Sequence, residues 1–185
     1  MKTTQILLTE RPVGAPTAKT FRMAETELPA LKDGEVLLRV IYLSLDPYMR
    51  GRMSDARSYA APVEVGGLMG GGTVCEVIDS KNPKYKAGSF VQSMSGWQSH
   101  AISDGADLRR LDPADAPIST SVGVLGMPGL TAYVGLLDIG EPKEGETVVV
   151  SAASGAVGSV VGQLAKIKGA RAVGVAGSPE KVAFV

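Results

Sequence analysis

Cysteine and histidine occur once each in these 185 residues, and that scarcity excludes more than any single motif does. Cys75 alone cannot close a disulfide within the chain, so the cross-linked framework of small secreted domains is ruled out. Cys75 and His100 together cannot supply the Cys/His cluster of a typical zinc site. Nor do they outline a Cys–His or Ser–His–Asp nucleophile system. His100 lies in Trp97-Gln98-Ser99-His100-Ala101, a strand-like alternation, and is read as structural. Cys75, within Thr73-Val74-Cys75-Glu76-Val77-Ile78, is read as a buried strand thiol. Charge of one sign is lacking too: Lys+Arg and Asp+Glu balance at 19 each. With no net field to draw in a polyanion, neither nucleic acid nor an acidic membrane surface is an expected partner. Long apolar runs are also missing. Ile6-Leu7-Leu8 passes at once into Thr9-Glu10-Arg11, which is no secretory core, and no stretch is long enough to cross a bilayer. A cytoplasmic protein is the expectation.

What is present builds a packed interior. Hydrophobic residues make up 44% of the chain, and its length suits one domain or one and a half. The first hundred or so residues read as short strands. In Glu35 to Leu45 the residues Val36, Leu38, Val40 and Tyr42 share one face and Leu37, Ile41 and Leu43 the other, which predicts a strand covered on both sides. Thr73 to Ile78 and Ser89 to Ser93 are further strand candidates. Three strands share a lead-in, Lys32-Asp33-Gly34-Glu35, Lys86-Ala87-Gly88-Ser89 and Lys143-Glu144-Gly145-Glu146. Each places Gly where a tight turn needs positive φ; this is recurring turn chemistry and not a repeat architecture.

The pattern changes near Asp112-Pro113. Ser121 to Ile139 has helical spacing, which Pro128-Gly129 must break or kink. A strand is expected at Thr147 to Ala152 and an amphipathic helix carrying Val157, Val160, Val161, Leu164 and Ile167. Gly169 should stop that helix, and a second strand runs from Ala172 to Ala176. Ser178-Pro179 then opens another helix, with Ser as N-cap and Pro in the first turn. Two parallel strands cannot by themselves make the open sheet they belong to. The chain is therefore expected to be the front part of a longer protein, with the face around Val148, Val150, Val173 and Val175 uncovered and little activity of its own.

Val150-Ser151-Ala152-Ala153-Ser154-Gly155-Ala156-Val157-Gly158 joins that first strand to its helix. Free N–H groups at a helix start suit a pyrophosphate. Gly155 would admit the phosphates close to the backbone, Ala156 and Val157 would present N–H groups, and Gly158 would let helix and strand pack tightly. Ala153 stands where a dinucleotide fingerprint has its first Gly, and a packing turn without a ligand is the alternative. The second strand ends in Val175-Ala176-Gly177-Ser178, with no carboxylate to hold a ribose 2′-hydroxyl. Small residues, Ser178 and Lys181 would face a 2′-phosphate instead, so NADP(H) is expected over NAD. Glu180 is the objection; its place in the first helical turn reads as a dipole-complementing, solvated side chain.

With Leu45-Asp46-Pro47-Tyr48-Met49-Arg50-Gly51-Arg52-Met53, Gly126-Met127-Pro128-Gly129-Leu130-Thr131-Ala132-Tyr133, the turn and Ala176-Gly177-Ser178-Pro179-Glu180-Lys181 in this order, the chain resembles the zinc-independent medium-chain dehydrogenases/reductases. The branch it resembles is that of the prostaglandin/alkenal reductases and the curcumin-reductase-like enzymes. The resemblance implies a β-rich GroES-like catalytic domain over 1–118, lacking its C-terminal return. The start of an α/β doubly wound (Rossmann) NADP-binding domain follows over 119–185. It also implies that the full-length protein is a homodimer acting on a small-molecule enone or enal. Zinc-dependent cousins carry a Cys after the long early strand and Gly-His-Glu before the next; here the regions read Ser44-Leu45-Asp46-Pro47-Tyr48 and Met69-Gly70-Gly71-Gly72-Thr73. A substrate carbonyl would then be polarised by hydrogen bonds. Tyr48 is the implied donor, the alternative being a Tyr that anchors a turn against Pro47. Arg50 and Arg52 are expected to be solvated or ion-paired. Thr131 is a candidate polar contact near the nicotinamide, or part of a kinked packing helix. The function implied is NADPH-dependent reduction of a carbon–carbon double bond conjugated to a carbonyl, against the alternatives of a non-catalytic NADPH-binding or structural protein, or an inactive module.

Overall fold

A computed structural model describes all residues, 1–185, and the chain divides into two compact units, Met1–Ser119 and Thr120–Val185. The first contains, in chain order, β1 (Lys2–Leu8), β2 (Phe21–Glu27), β3 (Val36–Leu43), the short helix α1 (Tyr48–Arg52), β4 (Thr73–Ser80), β5 (Phe90–Ser93), β6 (His100–Ser103) and β7 (Arg109–Leu111). β1 and β2 form an antiparallel hairpin running from Leu8↔Phe21 to Lys2↔Glu27. The other strands make one antiparallel sheet in the order β6-β3-β4-β5-β7.

Alternation explains the core. Val36, Leu38, Cys75, Val77, Val91 and Ala101 all point to one side of the sheet and are closed over by Tyr85 and Leu108. Each fully buried Val or Leu here contributes about 1.5–3 kcal/mol relative to exposure. The expectation that β3 is covered on both sides is corrected. Its first half buries Val36 and Leu38, Leu37, Ile41 and Leu43 are half-buried, and Tyr42 is 46% exposed. The cause is an irregularity in the β3–β4 register between Val40 and Tyr42, a bulge that turns the strand out of strict alternation. A second cluster, Leu8, Met53 and Met69 with Phe21, Val63 and Trp97, packs behind α1.

The second unit opens with a 3₁₀ turn at Ile118–Val122 that begins just before it. There follow α2 (Met127–Tyr133), a π-helical run (Val134–Gly140), β8 (Thr147–Ser151), α3 (Gly158–Ile167), β9 (Arg171–Val175) and α4 (Pro179–Phe184). The helical run expected over Ser121 to Ile139 is broken just ahead of Pro128-Gly129, between the 3₁₀ turn and α2. Pro128 sits in the first turn of α2, where its missing N–H has no partner to lose. The preceding chain folds so tightly on this start that a Cβ at Gly129 would stand 1.7 Å from the Val124 carbonyl oxygen.

β8 and β9 pair in parallel from Thr147↔Arg171 to Ser151↔Val175. Val148 and Ala172 on one face pack with Val161, Leu164 and Ala165 of α3. α3 ends in a Schellman arrangement: Gly169 has φ 77°, and the Ala170 N–H donates to the Ala165 carbonyl at 3.0 Å. The uncovered face was expected around Val148, Val150, Val173 and Val175, and half of that set is on the wrong side. Val150 is buried and Val148 half-buried, whereas Val149 is 66% and Val175 55% exposed. Successive strand residues face opposite ways, so the open face belongs to Val149, Val173 and Val175. The three shared lead-ins behave as one turn, with φ between 83° and 87° at Gly34, Gly88 and Gly145 and an N–H of the following residue bonded back to the lysine carbonyl. No helix is long and apolar enough to cross a membrane.

Candidate functional site

Local packing places Tyr48. Met49 and Met53, four residues apart, are both 3% exposed and anchor one face of α1. Tyr48 and Arg52, with the same spacing, take the adjoining face and line a cavity of about 240 Å³ with Pro62, Val63, Gly70 and Met94. The helix is fixed at its ends by arginines. Arg50 donates to the Pro12 and Gly14 carbonyls at 2.8 and 2.9 Å, Arg52 to that of Ala61, and Arg11 to those of Met53 and Val63. Arg50 and Arg52 form no ion pair and remain partly exposed. Their planar donor forks tie loop carbonyls to α1.

Tyr48 itself is half-buried, and its hydroxyl bonds to no group of the chain. Burial pushes its phenol above the usual range, the Asp46 carboxylate adds to this, and the Arg52 charge opposes it. Like any phenol it is protonated at neutral pH, and burial widens that margin; it is a donor without an acceptor in the chain. His100 and Cys75 take no part here. The Cys75 thiol is fully buried and burial raises its pKa. The His100 Nδ1 lies 3.1 Å from Ser99 Oγ, while the His100 N–H donates to Thr3 Oγ1.

The second unit holds the other candidate residues. β8 delivers Ala152 in a left-handed conformation, φ 51°, at a cost of about 1–2 kcal/mol. The left-handed position thus falls one residue before Ala153. Ala153 is 4% exposed, and its N–H donates to the Val175 carbonyl at 3.0 Å, joining the turn to the end of β9. Alanine fits where a fingerprint has glycine because β9 supplies the space: a Cβ on Gly174 would come within 2.8 Å of that of Ala153. At Gly158 a Cβ would stand 2.5 Å from the Ala152 carbonyl oxygen and at Gly155 3.1 Å from it. The Gly155 N–H is bonded to Ala152, but those of Ala156, Val157 and Gly158 have no partner in the chain. They form a cluster of free donors at the start of a ten-residue helix, the arrangement that receives a phosphate.

After β9, Ser178 caps α4, its Oγ accepting the Lys181 N–H at 3.3 Å. An accepting hydroxyl keeps its own proton for an anion. Lys181 and Glu180 are exposed, and neither forms an ion pair. Thr131 is exposed on α2 and donates to the Met127 carbonyl at 2.7 Å, so its proton is engaged within the helix. Sequence reasoning missed the lining role of Arg52, Gly70 and Met94. The Gly70-Gly71-Gly72 run was the available signal, and it was read only as a missing ligand motif.

The first unit is thus an antiparallel sheet bearing a pocket with one free phenol, and the second a parallel strand–turn–helix–strand unit with free N–H groups. Residues 4–111 match the family model described as the N-terminal domain of oxidoreductase. The chain belongs to this oxidoreductase family, in the prostaglandin/alkenal reductase branch of the medium-chain dehydrogenases/reductases. It is 57% identical over 175 residues to the NADPH-dependent curcumin reductase of Escherichia coli, covering 95% of this chain and 51% of that protein. With prostaglandin reductase 1 of Rattus norvegicus the identity is 51% over 175 residues, covering 93% of this chain and 51% of the relative. The crystal structure of CurA from Vibrio vulnificus in complex with NADPH is 55% identical with a TM-score of 0.93, covering 98% of this chain and 54% of that one. The chain spans about half the length of the curated relatives it matches.

Proposed function

We propose that the protein containing this chain reduces the carbon–carbon double bond of α,β-unsaturated ketones and aldehydes with NADPH and without zinc. The observation that carries this reading is the free, protonated Tyr48 hydroxyl in a cavity with apolar walls. Relatives at 57% and 51% identity bear the names curcumin reductase and prostaglandin reductase.

The cofactor fits the residues present. Gly158 and Gly155 leave the bare backbone that a pyrophosphate needs, and the N–H groups of Ala156, Val157 and Gly158 would hold it. Ser178 and Lys181 would take the 2′-phosphate; Thr131, its proton engaged, can offer only an acceptor lone pair to the nicotinamide end. When bound, NADPH would supply a hydride for the β-carbon, and a proton from solvent at the α-carbon would complete the saturated product. Tyr48 donates a hydrogen bond to the substrate carbonyl oxygen, a bond that strengthens as enolate charge builds there. Pro62, Val63 and Met94 line the same cavity as Tyr48. Support for chemistry without zinc is the inventory of ligands: the single Cys is sealed in β4 and the single His is bonded into β6.

The test is an assay of the complete gene product with enones and NADPH deuterated at the transferring position. Deuterium on the β-carbon of a saturated ketone is expected. An allylic alcohol as product, or turnover sustained equally by NADH, would sink the reading.

A further inference from the structure

The cavity beside Tyr48 has two neighbouring glycines that are glycine for different reasons. A Cβ at Gly71 would stand 2.7 Å from Met49 Cε and 3.1 Å from Leu43 Cδ1, so a side chain there would displace the packing behind α1. A Cβ at Gly70 would meet nothing within 4 Å, and its φ is one that any residue adopts. Neither backbone geometry nor core packing accounts for a glycine at 70. What the missing side chain leaves is room. Gly70 is exposed and lines the cavity of about 240 Å³ whose other walls include Pro62, Val63, Leu68 and Met94. Pockets for whole drug-sized ligands run to about 300–1,000 Å³. This smaller one suits a single ring or branched group.

We propose that Gly70 sets specificity for the substituent on the carbonyl carbon of the substrate, admitting an aryl or branched alkyl group because position 70 carries no side chain. The inference rests on the enone reading. A carbonyl oxygen held by the Tyr48 hydroxyl brings the group bonded to the carbonyl carbon into the cavity that this hydroxyl lines. The β-carbon lies two bonds along in the other direction, away from that group. Arg52 is the one charged lining residue and its guanidinium is bonded to the Ala61 carbonyl, so Pro62, Val63, Leu68 and Met94 present an apolar surface to the substituent.

Methyl vinyl ketone and phenyl vinyl ketone differ only in that substituent. In the complete gene product, Gly70→Val should lower the ratio of kcat/KM for the phenyl over the methyl ketone by about 10- to 100-fold, the scale on which a pocket reads one or two methyl groups. Gly70→Ala should lower it less. Position 70 is open, so both variants should melt near the wild type, and the alanine variant carries the test should valine disturb the fold. An unchanged ratio, or equal loss on both ketones, overturns the inference while leaving the enone reading intact. Failure of the wild type on every enone overturns that reading instead. The pocket is then judged by titrating propiophenone, a saturated ketone, and following the Tyr48 and Met94 resonances by NMR. Shifts in the wild type that Gly70→Val abolishes support the assignment of the cavity, and their absence in the wild type refutes it.

Discussion

Tyr48 and His100 are both displaced from their ordinary pKa values, in opposite directions and with opposite consequences. Burial raises the pKa of the Tyr48 phenol, a group that is protonated and able to donate at neutral pH in any case. Tyr48→Phe should lower kcat on enones about 10²-fold, the loss typical of one oxyanion donor, with KM changed far less. Equal kcat for both proteins in a steady-state assay would remove Tyr48 from the reaction. For His100, burial first and the Arg39 guanidinium second lower the pKa below 6.5. The folded state then favours the neutral ring, and the unfolded chain binds the proton more readily. The stabilisation is complete above about pH 6.5 and is lost as pH falls through that value. Melting followed between about pH 7.5 and 5 should show a decline that His100→Gln flattens; parallel curves for the two proteins would refute this.

At the scale of elements, the strand–turn–helix connection and the start of α4 make separable contributions. Gly158→Ala forces a methyl within 2.5 Å of the Ala152 carbonyl oxygen, so the turn must shift. Binding of NADPH and NADH should fall together, as read by fluorescence titration of the complete protein. Lys181→Ala should weaken NADPH alone, by about 1–2 kcal/mol for a lost charge-assisted contact. An equal loss for both nucleotides would show that Lys181 does not read the 2′-phosphate. These elements were legible in the sequence because their signals are local: a Ser-Pro cap, a Gly stop at 169, a valine period on α3. β1 and β2 were not, since their partners lie in the hairpin and in residues 97–100, and polar residues such as Thr3 and Thr4 interrupt the apolar pattern. The break at Pro128 was legible from a local signal too, but the turn that ends at Gly126 depends on backbone contacts that no side-chain pattern reports. In the site, Tyr48 stood out through a motif, but Gly70 matters through what surrounds it, and only coordinates supply that.

For the molecule as a whole, ligand chemistry follows from composition. Elemental analysis of the purified complete protein should find no stoichiometric zinc, and a chelator should leave enone reduction intact; one zinc per chain would contradict the proposal. A different consequence follows from the bonds at the amino terminus. Thr3 Oγ1 donates to the His100 carbonyl at 2.8 Å, Thr4 N–H to Ser99 Oγ at 2.9 Å, and Ile6 N–H to the Trp97 carbonyl at 2.9 Å. One edge of β1 is taken early by β2, while the other is secured by residues made nearly a hundred positions later, a closure that is entropically slow. On a ribosome adding about 5–20 residues per second, that second edge waits roughly 5–20 s for residues 97–100 to be made. The hairpin that is synthesised first thus docks only after most of its unit has emerged.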